Sequence, residues 1–143
     1  MWYEDLTECD YFGEEFSNIF TSVGWLQSEK PFQTGKSSKE FYERLIEQSK
    51  NPWIFCVFCG PHECDLCQFV GESGSLNIFI PHNGKIYVCP QLITHYINAH
   101  HYLPPTEFIE AVLACPPQCS MEYLKKILEN GGRQLVRFMK ENK

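Results

Sequence analysis

The spacing of apolar residues divides the chain into short elements. Phe41, Tyr42, Leu45 and Ile46 fall on one helical face. Ser37 and Glu40 stand at capping-box spacing ahead of them, and Asn51-Pro52 closes the run. This pattern predicts a helix over 38–50. Trp53, Ile54, Phe55, Val57 and Phe58 follow as an apolar run, which predicts a short buried strand. Residues 59–75 are rich in turn formers. Two further strands are predicted over 76–80 and 85–88, joined as a β-hairpin by Asn83-Gly84, with Pro81 and His82 widening the loop. A helix from Pro90 to Ala99 then carries the stripe Leu92, Ile93, Tyr96 and Ile97. Another spans 106–114 between Pro104-Pro105 and Pro116-Pro117, with Phe108, Ile109, Val112 and Leu113 inward. A last one runs from Ser120 to Gly131-Gly132. Residues 135–138 read equally as strand or helix. The expectation is an α+β fold with a helical C-terminal half, forming one domain over 1–143.

Composition adds a core and an uneven charge. The 143 residues are 43% hydrophobic and 15% aromatic, which argues against disorder. Net charge is −6. Residues 1–29 hold Glu4, Asp5, Glu8, Asp10, Glu14, Glu15 and Glu29, and all 12 lysines and arginines lie beyond them. The acidic segment 1–35 also carries Trp2, Tyr3, Tyr11, Phe12, Phe16, Phe20 and Trp25. It either packs onto the rest of the chain or offers a partner protein an acidic surface with aromatic anchors. The basic residues Lys125, Lys126, Arg133, Arg137 and Lys140 alternate with glutamates. That argues for a solvated face and against a nucleic-acid footprint. No apolar run approaches the roughly 20 residues that span a bilayer. The acidic opening lacks the basic start of a secretory signal, so a cytoplasmic location is expected.

The cysteines bring in chemistry. Without an export signal, eight of them point to metal ligation or buried thiols rather than disulfides. Cys56 and Cys59 form one C-x2-C pair, and Cys64 and Cys67 a second. Beyond the hairpin, His95 and His100 lie on one helix. Two thiolates from Cys64 and Cys67 with two imidazoles from His95 and His100 satisfy a tetrahedral zinc, one per chain. Residues five apart on an ideal helix point about 140° apart, so the last turn must loosen. Otherwise His100 is a core residue on the apolar stripe, with His101 in reserve. A rival site uses Cys56, Cys59, Cys64 and Cys67, with His62 able to replace one of them. Cys56 and Cys59 read alternatively as core fillers or as a redox pair. Cys9, Cys89, Cys115 and Cys119 show no ligand spacing.

The order of knuckle, hairpin and helix resembles the treble-clef class of zinc folds, with the metal-binding core over 56–101. The stretch His62, Cys64, Cys67, Ile80-Pro81, Gly84, Tyr87, Pro90, Leu92-Ile93, His95-Tyr96-Ile97, His100, Tyr102, Pro104-Pro105 and Glu107-Phe108 resembles a bacterial family with no assigned activity. That resemblance implies that Cys64, Cys67, His95 and His100 act together. The H-E-x-x-H, G-x-S-x-G and phosphate-loop motifs are absent. The expected function is therefore a zinc-stabilised protein-interaction or adaptor module. The alternatives are a small metal-dependent hydrolase or nuclease and a nucleic-acid-binding zinc domain.

Overall fold

The computed structural model describes residues 2–55, 62–67, 73–74 and 76–141, without the side chains of His62 and Ser73. Cys56 and Cys59, with the alternatives that rest on them, lie outside the described residues. The architecture is α+β, with a sheet-and-loop region followed by a helical C-terminal part.

Strand β1 (Phe20–Ser22) runs parallel to β5 (Lys85–Pro90), and β4 (Asn77–His82) pairs antiparallel on the other side of β5. Register sets Phe20 opposite Ile86 and Ile80 opposite Tyr87. The central strand is buried from Ile86 to Pro90, as an inner strand covered on both faces should be. Pro81 and His82 belong to β4, so the connection to β5 is the two-residue turn Asn83-Gly84 and not a widened loop. Asn83 (φ 48) and Gly84 (φ 80) both adopt the left-handed backbone that such a tight turn demands.

The first helix, α1 (Lys39–Lys50), is capped by Ser38, whose hydroxyl accepts the Phe41 N–H at 3.1 Å. The cap is thus one residue later than the Ser37–Glu40 spacing suggested, and it buries Phe41 and Leu45 on the inner face. Trp53 and Phe55 are buried with Ile54 turned out, but these residues form no strand. The Trp53 N–H is taken by the Gln118 side chain at 2.7 Å.

Pro90 pairs with Asn77 as the last position of β5, so the next helix, α2 (Ile93–His100), starts three residues later than the proline alone indicates. Helix α3 (Thr106–Ala114) packs on α1 and β4. Its C-terminal carbonyls receive cations, Arg44 on Leu113 at 2.9 Å and Lys126 on Ala114 at 3.4 Å. Helix α4 (Met121–Ile127) is capped by Ser120, and the buried Tyr123 hydroxyl donates to the Phe79 carbonyl at 2.6 Å. An elbow over Leu128–Gly132 leads into α5 (Arg133–Glu141), which resolves the ambiguous tail as a helix. Leu135 is buried, and Phe138 meets Phe16 and Phe55.

The N-terminal segment contributes to the core. Phe16, Phe20 and Trp25 are buried, and the Trp25 indole N–H donates to the Val88 carbonyl at 3.0 Å. Phe12, Phe20, Phe55 and Phe79 stack edge-on or tilted within 5.2 to 6.3 Å, the arrangement that aromatic quadrupoles favour. Of the acidic residues up to Glu29, only Asp5 leaves the exposed surface. No helix among the described residues is long and apolar enough to cross a membrane.

Candidate metal centre

Cys64 and Cys67 lie just past the short strand β2 (His62–Glu63), which pairs antiparallel with β3 (Ser73–Gly74). Both strands are only two residues long, too short to show as a pattern in the sequence. Between the cysteines, the Asp65 carboxylate accepts the Ser28 N–H at 3.1 Å and its hydroxyl at 3.3 Å. The turn is thereby tied to the N-terminal segment.

Helix α2 supplies the imidazoles. Leu92, Ile93 and Tyr96 hold its inner face in the core. Gly24 lets it come close, since a Cβ there would stand 2.8 Å from Ile93 Cδ1, and its φ of 76 disfavours side chains in any case. The helix ends in a wide turn: the His101 N–H reaches the Tyr96 carbonyl five residues back, with His101 left-handed at φ 57. A turn of five residues brings positions five apart nearer to one face than an α-turn does. This supplies the loosening that the His95–His100 spacing demands. His101 itself is exposed and stands outside the cluster.

The four donor atoms of Cys64, Cys67, His95 and His100 all lie within 4.8 Å of one another, and among the described residues they form the one cluster able to hold a metal ion. The two sulfurs are 3.7 Å apart. His95 Nε2 is 3.3 Å from Cys67 Sγ, and His100 Nε2 is 3.4 Å from both sulfurs. A regular tetrahedron with Zn–S of about 2.3 Å and Zn–N of about 2.0–2.1 Å has S–S edges near ~3.8 Å and S–N edges near ~3.6 Å. The observed separations match those edges to within a few tenths of an ångström. The donor set therefore fits a four-coordinate cation. Two thiolates also neutralise a dication, which lowers the penalty of burying it.

The surroundings have electrostatic consequences. Burial, more than any neighbour, pushes the Cys64 thiol up. Burial lowers the His100 imidazole, helped by His95 and His101, and so favours its neutral, ligating form. Burial also raises the Tyr96 hydroxyl, with smaller contributions from Cys64, Asp65 and Cys67. A dication at the centre reverses the sign for the thiols, because a coordinating sulfur is deprotonated outright.

The other described cysteines are elsewhere. Cys9, Cys89 and Cys115 are buried and Cys119 is exposed, none of them within the cluster. Cys89 is pushed well above its usual range by burial alone.

The family model for the domain of unknown function DUF7919 matches residues 1–113, a stretch that contains all four donors and ends in α3. No curated protein and no solved structure matches the chain.

Proposed function

The chain belongs to the DUF7919 family, and we propose that it is a zinc-stabilised protein-interaction module. It takes one zinc per chain, bound by Cys64, Cys67, His95 and His100. The reading rests on four protein donors gathered within 4.8 Å of one another, four of their separations being close to tetrahedral edges. Four protein ligands fill a zinc sphere and leave no position for an activated water, which is the mark of a structural rather than a catalytic site. The turn with its two cysteines, the antiparallel strand pair and the ligating helix then make a treble-clef-like zinc core. The zinc fastens that turn to α2, while the close packing of Gly24 on Ile93 and the Asp65–Ser28 bonds join helix and turn to the N-terminal segment. The acidic and aromatic N-terminal face is left as the surface on which a partner acts.

The test is metal content per chain by plasma mass spectrometry, together with the absorption spectrum of the cobalt-substituted protein. One zinc in wild type, lost in Cys64→Ser and in His95→Ala, and a four-coordinate cobalt spectrum are expected. Reduced protein that takes up no metal even with added zinc overturns the reading. A five-coordinate cobalt spectrum that responds to added anions would move the site to the catalytic class.

A further inference from the structure

Not every aromatic ring of the N-terminal segment is spent in the core. Trp2, Tyr3 and Phe32 remain half-buried along a surface groove of about 310 Å³, which Glu4, Leu6 and Pro31 also line. Leu6 is 40% exposed and sits at φ 67. A leucine in the left-handed region is strained, because its Cβ crowds the following carbonyl oxygen. That conformation is held by the Leu6 N–H on the Ser22 carbonyl at 2.7 Å and the Ser22 N–H on Thr7 at 2.8 Å. The fold thus holds an apolar side chain out into water at the edge of an aromatic groove, and strain of this kind collects at binding sites.

The charged residues that line the groove are acidic. Glu4 is exposed beside it, Asp5 lies within it, and no lysine or arginine lines it among the described residues. One cation already uses its aromatic surface: Lys30 Nζ lies 4.9 Å from the centroid of the Trp2 ring. The Trp2 face is therefore placed to attract an ammonium or guanidinium.

We infer that this groove docks a basic segment of a partner protein, one that carries an arginine or lysine beside an apolar residue. The cation stacks on the Trp2 and Tyr3 rings and pairs with Glu4, displacing Lys30. The apolar neighbour covers Leu6 and Phe32. This deepens the interaction-module reading and rests on it. Helix α5 of a second copy does not supply this pairing. Helix α5 exposes Arg133, Arg137 and Lys140, but its Leu135 and Phe138 are committed to its own core and cannot fill the groove.

The experiment selects a displayed library of short random peptides against the zinc-loaded full chain. A synthetic peptide of the consensus is then titrated into wild type, Trp2→Ala, Glu4→Lys and the control Glu122→Lys. Zinc content and melting temperature certify that each variant is folded. The expected consensus pairs arginine or lysine with an apolar residue. Binding should weaken about tenfold or more in Trp2→Ala and Glu4→Lys and stay unchanged in Glu122→Lys. Peptides that bind wild type and Glu4→Lys equally place the interface elsewhere; the groove then fails and the interaction-module reading stands. No enriched peptide, with a molar mass that stays monomeric in sedimentation, removes both. A mass that grows with concentration and reverts in Glu4→Lys assigns the groove to a second copy and overturns the partner.

Discussion

Asp5 balances two opposed effects within one side chain. It accepts the Tyr102 hydroxyl at 2.6 Å and the Gly24 N–H at 2.9 Å, and both bonds favour the carboxylate. Burial opposes them and wins, so the carboxyl stands above its usual range, with Glu4 adding a little. The folded chain therefore holds a proton at Asp5 more tightly than the unfolded chain does. Its contribution to stability is complete below the unfolded value of about 3.9 and is lost as pH rises through the folded value. Asp5→Asn removes that loss. The stability of the variant relative to wild type should thus improve between pH 3 and pH 7, as measured by urea midpoints at each pH. Zinc release at low pH affects both proteins alike and cancels in the difference. A constant difference across that range would show that Asp5 titrates as it does in the unfolded chain.

Among the elements, the α4–α5 elbow shows how a few residues hold two parts together. Asn130 accepts the Gly84 N–H at 2.6 Å and donates to the Lys126 carbonyl at 2.7 Å, linking the β4–β5 turn to the end of α4. Asn130→Ala should cost about 1–2 kcal/mol, seen as a lower urea midpoint with an unchanged slope. Gly132 is constrained beside it, since a Cβ there would collide with the Ile127 side chain and carbonyl. The elements that were legible in the sequence owe it to local causes. Helix α1 carries an apolar stripe closed by Pro52 and α3 one flanked by prolines on both sides, and the clustered cysteines and histidines carry ligand spacing. What was hidden depends on distant partners. Phe20–Ser22 is a strand only because β5 lies beside it, and β2 and β3 are two residues each. Capping-box spacing singles out Ser37, but it is Ser38 that accepts the Phe41 N–H. Leu135-Val136 suit either period, and only packing against Phe16 and Phe55 through Phe138 makes that stretch a helix.

For the whole molecule, the question is how far the fold relies on the proposed zinc. The buried core runs from Phe16 and Trp25 through β4 and β5 to Tyr123 and Leu135, well beyond the turn that holds the cysteines. The chain should therefore survive loss of the metal, unlike a zinc finger whose core is too small to fold alone. At free zinc a thousandfold above its dissociation constant, binding contributes about 4 kcal/mol. In a chain of this length that is about 10–15 °C of melting temperature. A chelator under reducing conditions should lower the midpoint by that amount and leave far-ultraviolet dichroism nearly intact. Hydrogen exchange should speed up over 62–67 and along α2, while β4, β5 and α3 stay protected. Global loss of protection would mean that the metal is a condition of folding rather than a fastening.

The parallel pairing of β1 with β5 bears on how the chain is made. Trp25 finds its acceptor on Val88, 63 residues further along. During synthesis at about 5–20 residues per second, that partner emerges roughly 3–13 s after the tryptophan. For that interval Phe16, Phe20 and Trp25 have no strand to join, and they lie among seven carboxylates with no lysine or arginine up to residue 29. Like charges of that density keep nascent chains apart, much as gatekeeper residues do beside sticky segments. The acidic N-terminal segment should therefore keep these aromatics from associating until β5 emerges, and replacing its carboxylates with neutral amides should raise aggregation during cell-free synthesis.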